Sequence, residues 1–152
     1  MKIKLKSGQL TVRPLKNVKY TGELMKKLSF RYQDDVAMFG HYPLLKFYDF
    51  VKNIPYKTDP KKQEFLQRPY YTITGRGTGG DCDDKCIVMG AYLALNDIPF
   101  RFVACGRNKE GRLHHVVIEA KIDGKWVHID PTYSFNTFGE KLHNYQKMLV
   151  IG

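Results

Sequence analysis

The chain is predicted to be an α+β protein, with helices in its first two thirds and an antiparallel sheet after them. Two changes of pattern support this. Apolar residues recur at helical intervals up to Leu95 and alternate with polar ones beyond Pro99. Asp123-Gly124 lies between two alternating runs, the strongest short signal for a tight hairpin. A third observation places the chemistry: the glycine-rich segment Gly75–Gly80 leads directly into a helix-forming stretch. Helices followed by hairpin-linked strands favour segregated α and β layers over a βαβ series. No linker-like segment divides the 152 residues, so 1–152 is expected to be a single domain.

Taken in order, Lys2–Leu5 and Leu10–Arg13 alternate apolar and basic residues around Ser7-Gly8 and predict a short hairpin. Leu24 and Leu28 share one face of a helix over Glu23–Tyr32. Phe39-Gly40-His41 interrupts it, and Pro43 suits the first turn of a second helix, Leu44–Val51, which Pro55 stops. Tyr56–Gly80, with two prolines and several glycines, is expected to be mostly loop, with a helical turn at Gln63–Gln67. Asp83–Leu95 predicts the longest helix, with Ile87, Ala91 and Leu95 at four-residue spacing; Asn96-Asp97-Ile98-Pro99 ends it. Strands are expected at Phe100–Cys105, Leu113–Ile122 and Lys125–Ile129, with Trp126 anchoring the third in the core.

Composition narrows the function classes. A hydrophobic fraction of 43% and a charged fraction of 26% belong to a folded domain rather than a disordered chain. No run is long and apolar enough to span a bilayer, and Lys4 and Lys6 break up the apolar residues near Met1, so no signal peptide is expected. Three cysteines, an odd number, argue for free thiols in a reducing compartment, and the cytoplasm is the expected address. The net charge of +10 is concentrated at the N-terminus, where Glu23 is the one acidic residue before Asp34. A soluble basic face accounts for it; nucleic-acid contact is the alternative, with no recognition motif beside it.

The chemistry centres on Cys82. A helix start presents unpaired N–H groups and partial positive charge, which stabilise a thiolate and can hold an oxyanion. The preceding glycines allow a sharp turn and close approach of substrate. Asp83 and Asp84 complement the helix dipole but oppose a thiolate at Cys82, so the two effects compete. A thiol nucleophile needs a base, and His115 lies in a predicted strand. The Asp123-Gly124 hairpin brings Asp130 back toward it, where a carboxylate can orient the imidazole. Other assignments carry less weight. Cys86 falls among apolar residues and reads as core, and Cys105 as structural. His114 must face away from His115 if both lie in a strand. His41, His128 and His143 read as surface or packing residues. A zinc site from Cys82, Cys86, His114 and His115 is awkward for that same reason of opposite faces. Gly75–Gly80 matches a dinucleotide pattern, but acidic residues follow where a pyrophosphate would sit.

Four blocks in order, Gly80-Asp81-Cys82-Asp83-Asp84, Leu95–Val103, His115-Val116-Val117-Ile118-Glu119 and Asp123–Thr132, resemble the transglutaminase-like superfamily. Ile54–Pro60, Gln67-Arg68-Pro69 and the Gly-Asp-Cys-Asp-Asp-Lys form resemble small phage- and prophage-encoded members. The resemblance covers about 44–133 and leaves the basic hairpin and helix of 1–40 outside it. It implies a papain-type core, a central Cys-bearing helix packed on an antiparallel sheet, and a triad of Cys82, His115 and Asp130. It further implies acyl transfer on a peptide or glutamine-type amide through a thioester, with a protein or peptide substrate and no metal or organic cofactor. A phage origin would mean the cytoplasm of a bacterial host or association with the virion. The Cys82 backbone N–H is one oxyanion donor, and Gln63 and Gln67 are weak candidates for a second. Val117 departs from the family, where an aromatic residue often stands two places after the histidine; this bears on the lining of the substrate groove. The alternative function is a catalytically inactive binding or structural module with a basic N-terminus.

Overall fold

The computed structural model describes residues 5–6, 9–12, 18–58, 64–74, 79–107, 113–140 and 145–152, with the backbone alone described at 5–6, 9–12 and 64–65. The order is β1 (Leu5–Lys6), β2 (Gln9–Val12), α1 (Val18–Arg31), a 3-10 segment (Gln33–Phe39), α2 (Leu44–Lys52), β3 (Glu64–Gln67), α3 (Pro69–Thr74), α4 (Cys82–Leu95), β4 (Phe100–Gly106), β5 (His115–Ile122), β6 (Lys125–Ile129) and β7 (Lys147–Val150). The strands form two antiparallel sheets, one ordered β1-β2-β3 and the other β6-β5-β4-β7.

Helix α4 is the centre of the molecule because its sequence has no polar face. Every residue from Asp83 to Ala94 is buried, as befits a helix that is apolar on all sides below its first turn. It packs against α1, the 3-10 segment, α2 and α3, and against the inner face of β5. Gly90 permits the closest of these approaches: a Cβ there would lie 2.5 Å from Ser29 Oγ of α1, which donates to Ile87 O at 3.1 Å. Helix α2 buries Phe47, Tyr48 and Val51, and Phe47 stacks on Tyr92 with ring centroids 4.4 Å apart. On the sheet, Val116, Ile118 and Ala120 face this core. Val117 joins Val103 and Cys105 in a smaller cluster on the opposite face.

Helices α2 and α4 and strands β4, β5 and β6 lie within a residue or two of their expected bounds, and α1 starts five residues earlier than expected. Four expectations need correction. Glu64–Gln67 is a strand, not a helical turn: its backbone pairs with β2 and Leu66 is fully buried, so long-range pairing outweighs local helix preference. Pro69–Thr74 is helical within a stretch expected to be loop, with proline at the first position where it suits a helix. β7 was not anticipated. It completes the free edge of β4, and the pairing continues as Ile151 N donates to Phe102 O and Phe102 N to Gly152 O. Trp126 is 38% exposed rather than a core anchor and lies under the Arg101 guanidinium, 4.1 Å from the ring centroid. Of the N-terminal hairpin, Leu5↔Leu10 pairing is seen, while residues 2–4 and 13 lie outside the described residues.

Candidate active site

The approach to Cys82 is built by two glycines. Gly79 adopts φ +70°, and a Cβ there would sit 2.0 Å from Pro55 O. Gly80 N donates to Pro55 O at 3.1 Å and Lys57 N to Gly80 O at 3.0 Å, clamping this segment beside Tyr56. Asp81 then caps α4. Its Oδ1 accepts from Asp84 N, while Asp84 Oδ2 accepts from Asp81 N, each at 3.2 Å, a reciprocal cap with aspartate in the usual glutamate position. Asp84 Oδ1 also accepts from Gln67 N at 2.9 Å, joining the helix start to β3. Burial first, and the Asp81 carboxylate second, push the Asp84 carboxyl well above its ordinary range. Cys82 is thereby held at the first residue of the helix.

The sheet supplies the opposite wall. β6 last pairs at Ile129, opposite Ile118 of β5, so among the described residues the β6-side edge of β5 ahead of Ile118 has no strand partner. Two cysteines of α4 occupy that gap. Cys86 Sγ donates to Val116 O at 3.5 Å, and the Val116 N–H lies against the Cys82 sulfur. His115 is the next residue back. Its Nε2 is 2.8 Å from Asp130 Oδ2, and its ring lies between Tyr133 and Tyr145, with centroids at 6.4 and 6.1 Å. Asp130 is buried behind it, just where the chain leaves β6. The second carboxylate oxygen accepts from Thr132 N at 3.1 Å, and its carbonyl accepts from Tyr48 Oη at 2.9 Å and Asn136 Nδ2 at 3.0 Å. Burial opposes ionisation of Asp130, but the hydrogen bonds from His115 and Thr132 prevail and hold it below the usual carboxylate range.

Cys82 and His115 line one cleft of about 230 Å³, together with His114, Asp81, Asp83 and Tyr56. Asp130 stands behind His115. His114 precedes the first residue of β5, so strict alternation of faces does not hold there and both histidines reach the cleft. The bond to Asp130 belongs to His115. Cys86 and Cys105 are buried, His128 is buried, and His41 is exposed; His143 and Gln63 lie outside the described residues. Gln67 does not line the cleft, because its Oε1 accepts from Thr72 Oγ1 at 2.7 Å. Tyr56 was missed from sequence. Its signal was its place in Ile54–Pro60, which Gly79 and Gly80 bring beside the cysteine. Burial, then Cys82 and Tyr133, raise the Tyr56 phenol, which therefore stays protonated and can donate.

At the helix start the surroundings of Cys82 oppose its ionisation. Burial comes first, then Asp83 and Asp81; these push the thiol well above its ordinary range, against the Val116 N–H. The Cys82 thiol lies 3.9 Å from Asp83 Oδ1. This direction is opposite to the one that helix position alone implies. Substituting Asp83→Asn removes one of the opposing charges. Titration of Cys82 is expected to move to lower pH, read as the pH profile of its iodoacetamide alkylation; an unchanged profile would mean Asp83 does not act on the sulfur.

Among the described residues no group of three or more His, Cys, Asp or Glu side chains is placed to hold a metal ion, and no helix is long and apolar enough to cross a membrane. No curated protein is matched by the chain. Among solved structures it is similar to a candidate cysteine protease from Cytophaga hutchinsonii, at 23% identity and a TM-score of 0.47. That match covers 73% of this chain and 37% of that one, so the chain spans little more than a third of its length. The family model of the transglutaminase-like superfamily matches residues 31–131, reaching thirteen residues further upstream than the motifs alone, and the chain belongs to that superfamily.

Proposed function

We propose that this protein is a cysteine acyl-transfer enzyme acting on a peptide or glutamine-type amide, with Cys82 as nucleophile, His115 as base and Asp130 as the residue that orients His115. The observation that carries it is the His115–Asp130 bond at 2.8 Å behind a cleft that His115 shares with Cys82. With Nε2 given to Asp130, Nδ1 is the nitrogen left to exchange a proton with the thiol. Because burial and the carboxylates of Asp83 and Asp81 favour the thiol form of Cys82, the proton passes to His115 as the sulfur attacks the carbonyl carbon. The oxyanion is met by the Cys82 backbone N–H at the helix start and by the Tyr56 hydroxyl. The imidazolium then protonates the departing amine, leaving a thioester. Water as acceptor, activated by His115, releases an acid and restores the thiol; an amine acceptor forms a new amide instead.

The test uses p-nitrophenyl acetate as the acyl donor. A burst of p-nitrophenol is expected, with one acetyl group mapped by mass spectrometry to Cys82 and none to Cys86 or Cys105. Acetyl confined to lysines, or to either buried cysteine, would overturn the assignment.

A further inference from the structure

Lys85 is a charged residue placed where a central helix should carry an apolar one. It follows Cys82 by one turn and is 1% exposed. Among the described residues it makes no ion pair; its ammonium instead donates to two backbone carbonyls, Thr132 O at 2.7 Å and Lys52 O at 3.2 Å. Burying an ammonium without a paired carboxylate is costly. A leucine or methionine would fill the same volume without that cost, so the charge is explained by what it holds.

What it holds is the turn carrying Asp130. Thr132 accepts the ammonium through its carbonyl, and its own N–H donates to Asp130 Oδ1 at 3.1 Å. Asp130 Oδ2 is bonded to His115 Nε2 at 2.8 Å. The chain of bonds therefore runs from α4, one turn below Cys82, through the Thr132 peptide to the imidazole. The Lys52 carbonyl, at the end of α2, fixes the ammonium from the other side, and Lys52 Nζ donates to Asn136 O at 3.1 Å in the same loop. Helices α2 and α4 thus both grip the segment 130–136.

We propose that Lys85 is a positioning residue for the His115–Asp130 pair, its buried ammonium clamping the turn that presents the Asp130 carboxylate, and that loss of its charge weakens this clamp, the neutral amine being a poorer donor to the same two carbonyls. The inference rests on the catalytic reading of His115 and Asp130. The titratable groups around the ammonium are Asp130 and Cys86, which favour its charged form, and, through their contacts with the Asp130 turn, Tyr48 and His115; Lys52 and its partner Asp49 lie on α2. Burial outweighs them and brings Lys85 down to about 8. The clamp is accordingly strongest below about pH 8 and weaker above it. Weakening of the clamp adds a fall in acyl transfer on the alkaline side of the Lys85 transition.

The experiment is NMR of the whole protein labelled with 13Cε-lysine and 15N-histidine, followed from pH 6 to 10. The Lys85 signal is expected to titrate near pH 8, and the His115 Nε2 resonance to shift with the same midpoint. Lys85→Arg, charged throughout, should remove from the His115 resonance the transition that shares the Lys85 midpoint. With p-nitrophenyl acetate, Lys85→Met should lose about tenfold or more in kcat with little change in KM, and Lys85→Arg should extend activity to higher pH. Titration of Lys85 above pH 10, or a His115 resonance that ignores the Lys85 transition, would overturn the proposal. Should Lys85→Met fail to fold, the wild-type titration alone decides. If the wild type transfers no acetyl group, the catalytic reading fails while the NMR still reports on the clamp.

Discussion

Replacing His115 by alanine is expected to slow acetylation of Cys82 by p-nitrophenyl acetate by about 10³-fold at pH 7, the middle of the range for loss of a general base. The physical reason is the state of the thiol. If Cys82 rested as a thiolate, a base would add little, and the variant would keep much of its reactivity. Burial and the carboxylates of Asp83 and Asp81 instead push the thiol upward, which favours attack coupled to removal of its proton. His114 provides the control, because it lines the same cleft while Asp130 bonds His115. His114→Ala should retain acetylation within severalfold of the wild type. Burst kinetics of the two variants check this directly, and a larger loss in His114→Ala would transfer the base to that residue.

Asp130→Asn is expected to reduce acetylation on the order of 10²- to 10⁴-fold, through the tautomer rather than through shape. Thr132 N–H already requires an acceptor at Oδ1. An asparagine will therefore turn its oxygen to Thr132 and its amide nitrogen to His115 Nε2. That nitrogen must then accept, which puts the imidazole proton on Nδ1 and disables it as a base toward Cys82. Asp130→Ala goes further, leaving the His115 Nε2 and Thr132 N–H unmet and the Lys85 ammonium without its nearest carboxylate. Breaking a buried ionic arrangement of this kind costs about 3–5 kcal/mol, measurable by urea unfolding at pH 7. The pH dependence has a definite sign. Asp130 is held below its ordinary value of 3.8 in the folded protein, so its stabilisation is present above that value and is lost as pH falls through the lower, folded one. The wild type should lose this stability in acid, and Asp130→Ala should lack that component. An unchanged acid limb in the variant would mean Asp130 is not the group responsible.

How far the site could be read from sequence follows from how local each signal is. Cys82 was legible because a cap, acidic residues and an apolar helix lie within a few positions of it, and a helix start depends on little else. His115 and Asp130 were legible because a two-residue turn at Asp123-Gly124 fixes the register of the strands that flank it; the observed pairing of Ile118 with Ile129 is that register. Tyr56 was not legible, since it reaches the cleft only through the bridge to Gly80 across a long connection. Nor was Lys85, which reads as an ordinary basic residue in a helix until the carbonyls of Thr132 and Lys52 are seen to enclose it. β3 and β7 escaped notice because each takes its conformation from a neighbouring strand edge rather than from its own four residues.

The sequence by itself determined the main helices and the hairpin-linked strands β4 to β6, because periodicity, capping and tight turns act over short range, and its motifs pointed to the family. Only the tertiary structure decided the surroundings that oppose ionisation of the sulfur, the sharing of the cleft by both histidines, and the bonds from Lys85 to the turn behind Asp130. Those depend on desolvation and on charges brought together from distant segments, and the free energy of a buried charge is set by its whole surroundings rather than by its neighbours in the chain.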